Sequence, residues 1–76
     1  MNDEDLKQQL GHRIKLRRVD CRLNQAELAE RIHMKQGQLS RVERGLLGLS
    51  VLQLVAIARA LDCRVADLLD EECKAA

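Results

Sequence analysis

The sequence predicts an all-α fold, a compact bundle of five helices, and three observations predict it. Proline is absent, and so is every aromatic residue, from all 76 positions. Leu, Ala, Arg, Glu and Gln dominate instead, and these residues favour helix. Apolar residues recur three and four apart in successive segments, with helix start and stop signals between them. A chain of this length makes one domain, 1–76, with its core over about residues 10–70 and a thin interior. Helix packing or self-association must then supply much of the stability.

The first helix is predicted over about residues 4–20. Leu6, Leu10 and Ile14 are spaced by four, and Arg18 and Cys21 follow on nearly the same side. Asn2 or Asp3 can cap its start, and the acids just behind suit the positive end of the helix dipole. Leu16 and Val19 fall off this face.

Asn24-Gln25-Ala26-Glu27 predicts the start of a second helix. The Asn24 side chain can accept from the Glu27 amide while Glu27 reaches back to the amide of Asn24. Leu28, Ala29 and Ile32 form its apolar face, and it stops near His33, a residue that tolerates left-handed backbone better than branched residues do. The third helix runs from about Gln36 to Arg44, burying Leu39 and Val42 and ending at Gly45. Gln36, Gln38, Arg41 and Arg44 occupy its other face.

Leu46 to Leu49 form a short connection to a fourth helix capped by Ser50. Leu54, Ile57, Ala58 and Leu61 give that helix its buried side, with Leu52 and Val55 elsewhere. Asp62 and Cys63 turn the chain into a fifth helix from about Arg64, which buries Val65, Leu68 and Leu69. An acidic C-terminal tail, 70–76, is expected to fray.

The net charge of +1 conceals a segregation: residues 12–44 hold nine Lys/Arg against four acids, and both flanks are net acidic. Such a distribution concentrates positive potential on one part of the domain, as a phosphate-binding face requires. The lack of aromatics argues against single-strand stacking platforms. Cys21, Cys63 and Cys73 sit far apart with no metal-ligand spacing, so neither metal nor cofactor is expected. The odd cysteine count fits a reducing cytoplasm, and no apolar run approaches the length of a membrane span. No catalytic constellation or phosphate-cradling glycine loop is present, and Asp70-Glu71-Glu72 reads as a solvated tail, so no enzyme is expected.

The informative stretch is Gln25 to Arg44, QAELAERIHMKQGQLSRVER. Two short helices with a tight turn can cross steeply where a small residue, here Ala29, lets their backbones approach. Leu28, Ile32, Met34, Leu39 and Val42 can lock the pair, leaving the polar face of the third helix outward and ready to lie in a major groove.

These residues resemble the helix-turn-helix of the phage repressor and Cro family, also called the XRE family. LNQAELA at 23–29 is similar to the start of the second helix in lambdoid phage repressors. SRVERG at 40–45 and IARALDCRVADLL at 57–69 resemble the family's later segments, so the likeness covers about residues 10–70. The resemblance implies a lambda repressor-like fold and a bacterial or phage transcriptional regulator. Such a protein binds a palindromic operator in double-stranded DNA as a homodimer, with no small-molecule ligand evident. It also implies residue roles. Gln25 would touch a phosphate and brace Gln36; Gln36, Gly37 and Arg41 fall where relatives read base edges; Gln38 faces the backbone or a base. Arg18 and Glu43 match the family's partly buried ion pair between the first and third helices.

Side-chain chemistry agrees with several of these roles. Gln pairs bidentately with adenine and Arg with guanine, while Arg13, Arg17, Lys35 and Arg44 are cations suited to phosphates. The chain also departs from the family pattern. His33 stands where Gly is usual, Lys35 where a Ser or Thr cap is usual, and Gly37 lacks a side chain at a base-reading position. Leu46, Leu47, Gly48 and Leu49 replace a polar connection. Exposed leucines there would suit the alternative use of this fold, an antitoxin or adaptor bound to a protein partner. Otherwise they close the core beneath the fourth helix.

Overall fold

The computed structural model describes residues 2–69 and forms five helices: α1 (Asp3–Asp20), α2 (Gln25–Arg31), α3 (Gln36–Glu43), α4 (Val51–Ala60) and α5 (Val65–Leu69). The all-α class and the helix count match the expectation, and the bounds of α1 and α3 fall within one residue of it. No strand occurs among the described residues. The expected tail at 70–76, with Asp70, Glu71, Glu72 and Cys73, lies outside them.

Side-chain caps start three of the helices. Asn2 accepts from the Asp5 amide at 2.9 Å, and Asn24 from the Glu27 amide at 2.8 Å, with Glu27 accepting from the Asn24 amide at 3.0 Å. Ser50 and Gln53 form the same reciprocal box at 3.1 and 3.0 Å. Each satisfies amides that the first turn leaves without intrahelical partners.

The ends of α1 to α4 share one device, a left-handed residue after the cap with two backbone bonds folding back. After α1 the Leu23 amide donates to the Arg18 carbonyl (3.1 Å), and after α2 Met34 donates to Ala29 (2.9 Å). After α3 Leu46 donates to Arg41, and after α4 Cys63 to Ala58, both at 2.9 Å. The left-handed residues are Arg22, His33, Gly45 and Asp62, with φ of 60, 55, 78 and 54°. Only one is glycine. The sequence marks His33 and Gly45, but nothing in it separates Arg22 from an ordinary helical arginine.

Ile14, Leu28, Leu39, Val42, Ile57, Leu61 and Leu68 are fully buried, and Leu10, Ile32, Met34, Leu49, Leu54 and Val65 pack around them. α1 lies against α3 and α5, α2 against α3 and α4, and α4 against α5. The buried positions of α1 are Gly11, Ile14 and Arg18. Leu6 (52% exposed) and Cys21, expected inside, are exposed. An 18-residue helix is roughly 27 Å long, and its neighbours α3 and α5 have only 8 and 5 residues, so its ends outrun their cover. Leu69 is likewise exposed rather than buried, at the rim of a shallow groove that Leu6, Leu10 and Leu49 also line. Leu49 closes against the core, but Leu46 and Leu47 do not.

Gly11 sits where α1 crosses α3. A Cβ there would fall on the Val42 carbonyl oxygen and lie 2.9 Å from that of Glu43. The absent side chain therefore sets how closely the two helices approach.

Candidate nucleic-acid interface

α2, its turn and α3 are held by their inner faces. Leu28 and Ala29 of α2 and Leu39 and Val42 of α3 are buried, and the turn between passes through left-handed His33. With Leu39, Val42 and Glu43 turned inward, Gln36, Gly37, Gln38, Arg41 and Arg44 are all exposed on the other side of α3. The pitch of the helix directs Gly37, Arg41 and Arg44 outward once the apolar side is anchored, Gln38 lies to one flank, and Gln36 is exposed as the first residue of α3.

Arg18 and Glu43 form a two-pronged ion pair. Arg18 Nε donates to Glu43 Oε2 at 2.7 Å and its Nη2 to Oε1 at 3.0 Å, while Nη1 donates to the Leu23 carbonyl at 2.8 Å. Both residues are buried, and the pair joins the last turn of α1 to the end of α3. Gln25 adds a third donor, its Nε2 lying 3.0 Å from Glu43 Oε1. The expected brace of Gln25 on Gln36 is thus replaced by a brace on Glu43. The carboxylate, already ordered by Arg18, offers a charged and stationary acceptor, and such bonds are stronger than neutral ones.

Lys35 occupies the cap position of α3 and makes no side-chain cap, since an ammonium group has nothing to accept with. Gln38, three residues on, turns back so that its Oε1 accepts from the Lys35 amide at 3.3 Å. One half of a capping box remains, and the spacing from position 35 to 38 is its signal in the sequence. Arg44 leans along its own helix, Nε donating to the Ser40 carbonyl at 3.4 Å.

Arg13 and Arg17, expected at phosphates, face α5. Arg13 Nη1 donates to the Leu69 carbonyl at 2.6 Å and its Nη2 to Gln9 at 3.3 Å. Arg17 lies 4.0 Å from Asp67, whose carboxyl the Arg64 backbone amide and side chain hold below its ordinary value. The cationic side chains exposed beside or on α3 are Lys35, Arg41 and Arg44. Cys21 and Cys63 are free thiols, and burial pushes the Cys63 thiol up. Among the described residues no group of three or more His, Cys, Asp or Glu could hold a metal, and no helix is long and apolar enough to cross a membrane.

A family model described as Helix-turn-helix matches residues 14–68, from the last two turns of α1 through α4 and all but the last residue of α5. Solved structures are similar over most of the chain. The clp gene regulator ClgR from Corynebacterium glutamicum shares 34% identity over 92% of this chain and 74% of its own, with a TM-score of 0.85. The restriction-modification controller protein C.AhdI from Aeromonas hydrophila shares 30% over 84% and 96%, at 0.78. SinR, a master regulator for biofilm formation solved in complex with DNA, shares 35% over 80% and 98%, at 0.76. No curated protein matches the sequence.

Proposed function

The chain belongs to the XRE family of helix-turn-helix proteins, and from that membership we propose that it is a sequence-specific, DNA-binding transcriptional regulator. One observation carries the reading. The only polar face of α3 is held outward by a buried apolar side and by the Arg18–Glu43 pair, with Gln36 and Arg41 exposed on it. Gln36 and Arg41 read base edges in the major groove; Lys35, Arg44 and Gln25 contact the backbone beside them. Gln38, partly engaged by the Lys35 amide, plays the smaller part. Arg13 and Arg17 are left out of the contact set because Arg13 donates to the Leu69 carbonyl and to Gln9, and Arg17 lies beside Asp67.

The protein acts in the cytoplasm as a homodimer on a palindromic site. One recognition helix covers only a few base pairs, so useful affinity calls for two half-sites about 10 base pairs apart. The exposed Leu46 and Leu69, with the groove between α1 and α5, supply apolar surface for a two-fold contact. Selection of bound sites from random duplex DNA tests the proposal: an enriched inverted repeat is expected, and enrichment of no sequence overturns it.

A second reading has one observation in its favour. Val51 and Leu52 are 76 and 82% exposed side by side at the start of α4, apolar surface of the kind that contact sites use. A protein partner, as an antitoxin or adaptor has, would cover them. Purified protein that binds its selected site without help supports the regulator alone; recovery only with a stoichiometric partner supports the second reading.

A further inference from the structure

α3 has a hole at the centre of its outward face. Successive residues turn by about 100°, so opposite the buried Leu39, Val42 and Glu43 lie Gly37 and Arg41, each within roughly 30° of the outward direction. Gly37 is the nearer of the two. Gln36 and Gln38 stand to either side of it, and Arg41 stands one turn further on.

Nothing inside the protein asks for glycine there. A Cβ built on Gly37 meets no atom within 4 Å, and its backbone is not left-handed. Gly11 and Gly45 differ, because a Cβ at the first strikes the backbone of α3 and the second has φ of 78°. Glycine is also the poorest helix former after proline, so Gly37 weakens a helix of only 8 residues. A residue that harms the free fold and relieves no internal contact has its reason in what the helix meets.

We propose that Gly37 is a close-approach position: its missing side chain lets the backbone of the first turn of α3 reach a base-pair edge. It sets sequence preference by shape rather than by a hydrogen bond. This rests on the reading of α3 as the groove-entering helix. A methyl group at position 37 fills the gap between that backbone and the base-pair edge. It lifts Gln36 and Arg41 away from their base edges, and hydrogen bonds weaken steeply as they lengthen and tilt.

The test compares wild type with Gly37→Ala and Gly37→Ser, on the site the wild type selects and on an unrelated duplex. Both variants should melt at or above the wild-type temperature, because the added Cβ is unopposed. Affinity for the selected site should fall by about tenfold or more, the scale of one lost bidentate base contact. Affinity for unrelated duplex should stay within about twofold, since phosphate contacts carry it. Unchanged or tighter binding to the selected site overturns the inference while leaving the regulator reading intact. An equal fall on both duplexes also overturns it, because Gly37 then faces the phosphate backbone. A wild type that enriches no sequence removes the regulator reading and this inference together.

Discussion

Glu43 of α3 and Arg18 of α1 meet through two parallel hydrogen bonds of 2.7 and 3.0 Å in a site where both residues are buried. Gln25 of α2 closes on the same carboxylate, so three helices share one charge. Taking one partner away strands the other. Glu43→Ala should cost about 3 kcal/mol or more, whereas replacing both residues with apolar ones of similar volume should be near neutral. Urea unfolding of the two single variants and the double variant checks this; additive losses of a few tenths would show that the pair is uncoupled.

Gly11→Ala should destabilise the fold even though alanine is the better helix former. The gain in propensity is about 1 kcal/mol. The added Cβ must displace the Val42 carbonyl and push α3 from α1, an overpacking cost of about 1–3 kcal/mol. Because the same displacement strains the Arg18–Glu43 pair, the loss should lie toward the upper end. A stabilised variant would show that α1 and α3 are not pressed together at this point.

His33→Gly should stabilise the free protein by about 0.5–1 kcal/mol, since φ of 55° burdens any residue with a Cβ. Gly45→Ala should do the opposite and by more, as φ of 78° is joined by a clash with Gln8, 2.7 Å from the new Cβ. Thermal melts of the two variants measure both signs.

Asp67 gives the fold an acid-sensitive contact. The Arg64 backbone amide and side chain lower its carboxyl from the ordinary 3.8. A carboxyl lowered in the folded state stabilises the fold above its unfolded value, and that contribution is lost as the pH falls through the folded one. Stability should therefore decline in wild type as the pH falls through the ordinary 3.8 toward the lowered folded value, and Asp67→Asn should flatten that part of the curve. An unchanged profile in Asp67→Asn would assign the acid sensitivity elsewhere.

Base readers and backbone contacts should separate by sequence dependence. Gln36→Ala or Arg41→Ala should cost about 1–3 kcal/mol on the selected site and relax preference at one base pair per half-site. Lys35 differs, being an uncapped cation at the positive end of α3. Lys35→Ser should raise the stability of the free protein by up to about 1 kcal/mol. It should also weaken binding to all sequences about equally and flatten the salt dependence. Stability and affinity rising together would show that Lys35 is only a poor cap.

The sequence by itself determined the helices and their inward faces. Helix starts are local chemistry, so Asn24 with Glu27 and Ser50 as a cap are legible from residues three apart. Inward faces follow from the helical period, which is why Leu28, Leu39, Val42, Ile57 and Leu61 are legible as core. The polar face of α3 follows from the same period. Only the tertiary structure decided where the long side chains go. Arg13 reaches Leu69, 56 residues away, and Gln25 reaches Glu43 rather than Gln36. It also decided that Gly11 lies at a helix crossing while Gly37 faces open space. Periodicity fixes a residue's direction around its own axis, but the neighbour it meets depends on the angles and lengths at which separate helices cross.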